Sequence, residues 1–190
     1  MKPANVRTFI ALELDDKIQQ QLKTIQDSLK KTNADVAWVH PKNIHLTLLF
    51  IGNVDSESLQ NLRQTIKQAI QGIPSFKFQP NQYGWFPNKA NPRVLWIGVD
   101  LGKKCLERIT QALSKHVASF CDKTQKEHFS AHITIGRVRS NKNIAQLFSK
   151  LNEMDFDFTE KQKISHITLF KSQLTSSGPE YTIIERFPLA

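Results

Sequence analysis

His45 and His132 lie 87 residues apart, and each opens the same short pattern, His-x-Thr followed by an aliphatic residue, in "HLTL" and "HITI". A second pair of segments repeats at the same distance: "IALEL" starts at Ile10 and "IGVDL" at Ile97. Each half then reads as strand, amphipathic helix, His-x-Thr strand, second helix. Self-similarity over such a span is the mark of an internal duplication. It predicts one 1–190 unit built as two pseudo-repeats, running roughly over 7–86 and 93–184.

The elements follow from periodicity. "FIALEL" is strand-like, and Ile18, Leu22, Ile25 and Leu29 share one helical face. After "HLTLLFIG" a second helix places Leu59, Leu62, Ile66 and Ile70 in phase, with Asp55 or Ser56 as its N-cap. In the second half "VLWIGVDL" precedes a helix with Leu106, Ile109, Leu113, Val117 and Phe120 inward. "HITIGRV" and a shorter helix around Ile144, Leu147 and Leu151 follow, and "FDF", "SHITLF" and "YTIIERF" supply closing strands. Beyond the second helices the register is read as slipping to an offset of 80, which matches Phe76–Phe78 with Phe156–Phe158 and sets His166 opposite Phe86.

The net charge of +9 is shared by both halves, +5 over residues 1–95 and +4 over 96–190. A basic folded surface of this kind suits a polyanionic partner such as RNA, although charge alone is also a solubility device. No apolar run approaches the ~20 residues of a membrane span. With no signal-peptide pattern at the N-terminus, the expectation is a cytoplasmic protein without a membrane partner, and a monomer. Cys105 and Cys121 fall in or near one helix, too far apart to bridge, and no Cys/His spacing resembles a zinc site.

Alternation along a strand puts His45 with Thr47, and His132 with Thr134, on one face, their aliphatic neighbours on the other. If the two halves meet about a pseudo-twofold, two imidazoles and two hydroxyls converge on one groove. Imidazole titrates near pH 6.5, so one ring can take a proton while the other gives one. Threonine hydroxyls can hold phosphate oxygens as charge builds on them. The inventory suits phosphodiester cleavage and calls for no metal or cofactor. Arg137 would clamp an oxyanion, but it has the wrong strand parity unless Gly136 permits a bulge or bend. A third motif, His166-Ile167-Thr168, lies outside the repeat and reads as a surface or edge-strand histidine. Phe9, Trp38, Phe50, Trp85 and Phe129 lie near the motifs as stacking candidates, none singled out, since strand aromatics usually pack.

With these residues in place, the sequence resembles the two-histidine (2H) phosphoesterases, and most of all the LigT-like RNA 2′,3′-cyclic phosphodiesterases, historically called 2′-5′ RNA ligases. "WVHPKNIHLTLLFIGNV", "YGWFPNKANPRVLWIGV" and "FSAHITIGRV" carry the likeness. The resemblance implies a bilobal α+β fold with two antiparallel sheets and flanking helices around a central cleft. It implies metal-independent hydrolysis of RNA 2′,3′-cyclic phosphate ends to 2′-phosphomonoesters, with reverse 2′-5′ ligation open. It further implies His45 as proton donor, His132 as proton acceptor, and Thr47, Thr134 and Arg137 as phosphate-binding residues. The family commonly has Pro where this chain has Ala131, and Ala where it has Gly136. The alternatives are a phosphodiesterase acting on 2′-5′ linked or small nucleotide cyclic phosphates, and an RNA-binding module that only holds ends.

Overall fold

The computed structural model describes residues 5–121, 129–156, 158–176 and 178–190. The first half runs β1 (Asn5–Glu13), α1 (Asp16–Lys30), β2 (Val36–Trp38), β3 (His45–Asp55), α2 (Ser58–Ala69), β4 (Phe76–Phe78) and β5 (Pro80–Asn88). The second runs β6 (Asn91–Val99), α3 (Lys103–His116), β7 (His132–Val138), α4 (Ile144–Glu153), β8 (Gln162–Ile164), β9 (His166–Thr175) and β10 (Gly178–Pro188).

Local chemistry sets the helix starts. Asp15 accepts the Ile18 amide at 2.9 Å, and Asp55 accepts the Ser58 amide at 2.7 Å, each relieving an orphan donor of the first turn. Ile18, Leu22 and Leu29 are fully buried, as the 3.6-residue period requires. α3 stops at His116, so Phe120 falls in a separate short 3-10 turn, Ala118–Phe120.

The strands are antiparallel and form two wings. One has the order β10-β9-β1-β3; the other holds β5, β6 and β7, with β2 on the free edge of β7. The wings join where Leu46 of β3 pairs with Ile133 of β7, both fully buried. The two expected sheets are therefore one hydrogen-bonded path hinged at its middle. β4 and β8 make a separate small ribbon, Phe76 opposite Ile164.

The wings do not coincide with the halves. β9, from the second half, pairs with β1, while β5, from the first, pairs with β6. The helices cross likewise: α1 packs on α4, and α3 packs on α2 and β3. A continuous apolar core runs through both wings.

Two sequence registers need correction. Glu13 pairs with His45 and Gly98 with His132, so the first strands superpose at an offset of 85, not 87. Side chains alternate with period 2, and a slip of two residues keeps every side chain on its face; the pattern cannot separate the two offsets. The later slip to 80 is also wrong. Phe156 and Phe158 lie outside any strand, and β4's partner is Gln162–Ile164. Phe170 sits opposite Phe9, and Phe86 opposite Val94, which is the residue equivalent to Phe9; Phe86 thus corresponds to Phe170, not His166. Nor is His166 on an edge strand, because β9 lies between β1 and β10.

Candidate active site

The pair Leu46–Ile133 brings the two His-x-Thr strands side by side. Extending that antiparallel register by one residue sets Thr134 beside His45 and Thr47 beside His132. The four side chains line one cleft of about 410 Å³, together with Arg137. Each histidine thus faces the other strand's threonine, and the aliphatic residues behind them are buried.

Both rings are held in the same way. His45 Nδ1 lies 2.7 Å from the carbonyl of Asn43, and His132 Nδ1 lies 2.7 Å from that of Ser130. A carbonyl can only accept, so each Nδ1 carries the proton and each Nε2 is left for chemistry. His45 Nε2 is 3.0 Å from Thr47 Oγ1. When the ring is neutral, Thr47 donates to it; when it is protonated, the ring donates and the hydroxyl proton is released toward the cleft. Withdrawal from water lowers His45 to about 4, against the raising effect of the Asn43 carbonyl, and the His132 charge lowers it further. Burial also lowers His132, the Ser130 carbonyl opposes this, and Arg137 adds to the lowering. Both imidazoles are therefore held neutral near pH 7.

Arg137 reaches the cleft through a bulge. Thr134 pairs with Trp96 and Gly136 with Leu95, leaving Ile135 as the extra residue that flips the parity beyond it. Its carbonyl is taken by the buried Gln26 of α1, whose Nε2 donates to Ile135 O and to Val39 O, each at 2.8 Å. Gly136 serves a different end from the one its sequence suggested. A Cβ there would stand 2.6 Å from Val36 Cγ1 and 3.2 Å from the Trp38 ring. The missing side chain admits β2 against β7. Among the described residues, Arg137 has no carboxylate partner, whereas Arg63 pairs with Glu185 and Arg186 with Glu13. A guanidinium without an anion, beside two imidazoles, is suited to an oxyanion ligand.

Two segments, residues 12–96 and 99–181, match the family model described as LigT like phosphoesterase. The chain belongs to that family. A Thermotoga maritima protein named RNA 2′,3′-cyclic phosphodiesterase is 35% identical over 183 residues, 94% of this chain and 93% of its own. One of the same name from Methanothermobacter thermautotrophicus is 30% identical, over 97% of this chain and 99% of its own. The crystal structure of E. coli LigT in apo form matches with a TM-score of 0.78 over 100% of this chain and 99% of that one, at 22% identity, which speaks for the fold.

Three features of this LigT-like cleft escape the sequence reading. Arg139 lines it beside Arg137, as shared parity beyond the bulge would have indicated. Tyr181 lines it from β10 and stands edge-on to His45, ring centroids 5.2 Å apart. Asn43 donates from Nδ2 to Pro179 O at 2.8 Å, tying the β9–β10 hairpin to the residue that orients His45. No local pattern announces the last two, since both depend on long-range packing.

Of the aromatic candidates, Phe9 and Trp85 are buried, Phe129 packs on the core, and Trp38 and Phe50 line the cleft. The third motif is bound internally. Glu13 accepts from both Arg186 Nε and Nη2 at 2.8 Å and from Thr168 Oγ1, and its Oε1 is 3.3 Å from His166 Nε2. Among the described residues no three or more His, Cys, Asp or Glu side chains cluster in a way that could hold a metal ion. No described helix is long and apolar enough to cross a membrane.

Proposed function

We propose that this LigT-like phosphoesterase hydrolyses RNA 2′,3′-cyclic phosphate ends to 2′-phosphomonoesters, without a metal. Its relatives' names support the reaction class. The observation that carries the mechanism is the matched pair of imidazoles, each with Nδ1 fixed by a backbone carbonyl and each ring lining one cleft.

In this reading His132 Nε2 takes a proton from water as the water oxygen bonds to phosphorus. The P–O3′ bond breaks, and protonated His45 gives its Nε2 proton to O3′. The phosphate remains on O2′. Thr47, Thr134 and Arg137 hold the non-bridging oxygens, where charge accumulates. With the 5′-hydroxyl of a second RNA end in place of water, the same residues would serve 2′-5′ ligation: the 5′-oxygen bonds to phosphorus as it gives its proton to His132, and O3′ again leaves with the His45 proton. Assignment of acid to His45 and base to His132 follows the family likeness.

The test is a short RNA ending in 2′,3′-cyclic phosphate, incubated in EDTA with wild type, His45→Ala and His132→Ala. Wild type should yield a 2′-phosphate, and each variant should lose about 10²–10⁴-fold in rate. A 3′-phosphate product, loss of turnover in EDTA, or full activity in either variant would refute the mechanism. RNA held without turnover would point to an end-binding module.

A further inference from the structure

The cleft does not end beside the histidines. Its lining continues to Arg139 and to Ala37, Trp38 and Val39 along the β2 edge. The ladder with β2 keeps this end of β7 extended: Val138 pairs with Val36, and the Arg139 amide donates to Asp35 O at 2.9 Å. Arg137 and Arg139 are therefore two residues apart on one face, with Val138 buried between them on the other. Two residues along a strand advance about 6.5 Å. That is the scale of one nucleotide step along an RNA backbone.

Arg139 is exposed and, among the described residues, makes no ion pair. The carboxylate opposite it in the ladder, Asp35, accepts from Ser140 Oγ at 2.7 Å and not from Arg139. This guanidinium is thus left for an anion one nucleotide away from the reacting phosphate. A lone nucleoside cyclic phosphate carries no charge there. In an RNA end the next anion is the phosphodiester on the 5′ side of the terminal nucleotide.

We infer that Arg139 holds that 5′ phosphodiester, so that the cleft takes the end of a chain in preference to a lone nucleotide, with the chain leaving past the β2 edge. The inference rests on the cyclic-phosphate reading above and adds to it the length class of the substrate. A contact to non-bridging oxygens carries no base information, so the preference for chains is independent of sequence.

The test uses two dinucleotides ending in adenosine 2′,3′-cyclic phosphate, one joined by a phosphodiester and one by an uncharged methylphosphonate. In wild type the charged linkage should raise kcat/KM about tenfold over the neutral one, and in Arg139→Ala that ratio should fall to within about twofold of unity. A ratio near unity in wild type, or one that Arg139→Ala leaves unchanged, overturns the proposal. Calorimetry of the same dinucleotides ending in a 2′-phosphate reads the contact without turnover. The linkage preference should be lost in Arg139→Ala, and the log–log dependence of affinity on salt for the phosphodiester form should flatten by about 0.7. If wild type hydrolyses neither cyclic end, the functional reading fails, while the linkage preference in binding still decides whether Arg139 holds a phosphodiester.

Discussion

Gln26 of α1 and Ile135 of β7 are joined across 109 residues by a 2.8 Å hydrogen bond from a fully buried side-chain amide to a bulge carbonyl. The bulge aims Arg137, so a helix of one half sets the guanidinium of the other. Gln26→Leu should cost about 1–3 kcal/mol of stability, since two buried carbonyls lose a donor. It should also raise KM several-fold by loosening Arg137, while Gln26→Glu should do worse on both counts because its carboxylate faces two carbonyl oxygens. Urea titrations and steady-state kinetics on both variants check this.

Phosphate binding should draw in a proton. Both rings are held neutral near pH 7, with His45 lowered to about 4 and His132 lowered as well. An anion placed between them favours the imidazolium form. Calorimetry of inorganic phosphate binding at pH 7, in buffers of different ionisation enthalpy, should show net uptake of up to about one proton. The uptake should shrink in His45→Asn.

The same lowering sets a pH dependence of stability. Below about pH 6.5 the unfolded chain protonates its histidines while the folded chain resists. The unfolded state then binds more protons, so stability should fall as pH drops from about 6.5 toward 4. Denaturation midpoints across that window should decline less steeply in His45→Phe than in wild type.

Glu13 works in a lower window. Its hydrogen bonds from Arg186 lower the carboxyl to about 2, against opposing burial, with Thr168 lowering it further. The stabilisation is full above about 4.5 and is lost as pH falls through 2. Glu13→Gln should cost about 1–2 kcal/mol at pH 7, discounted for partial exposure. The gap to wild type should close at acid pH.

His166 should prove dispensable for chemistry. It lies outside the cleft lining and faces Glu13. His166→Ala should leave kcat/KM on a cyclic-phosphate RNA within about twofold of wild type, against the 10²–10⁴-fold losses expected at His45 and His132. A large loss would give the third motif a part in turnover.

Much of this was legible because strand and helix periods are local. The buried faces of α1 and α3, the His-x-Thr faces and the need for a bulge before Arg137 all follow from spacing. The bulge itself falls at Ile135 rather than Gly136, and the glycine's lack of a side chain serves instead to admit Val36 and Trp38. The offsets failed where period-2 alternation is blind to a two-residue slip, and where "FDF" resembled "FKF" without sharing its place. Gln26, Asn43 and Tyr181 were out of reach because their partners lie in other elements, and polar residues on helices and hairpins read as solvent-facing until the tertiary fold turns them inward.

The crossing of strands between the halves has a consequence for descent. Phe86, from the first half, lies edge-on to His132 at 4.9 Å, and Phe170, from the second, lies 6.4 Å from His45. Each histidine is thus walled by a strand encoded in the other copy. A single ancestral copy would have exposed its own histidine unless two chains traded strands, and after fusion neither copy could drift alone. Mutations in one half are screened by the chemistry of the other, and the two must be inherited as one.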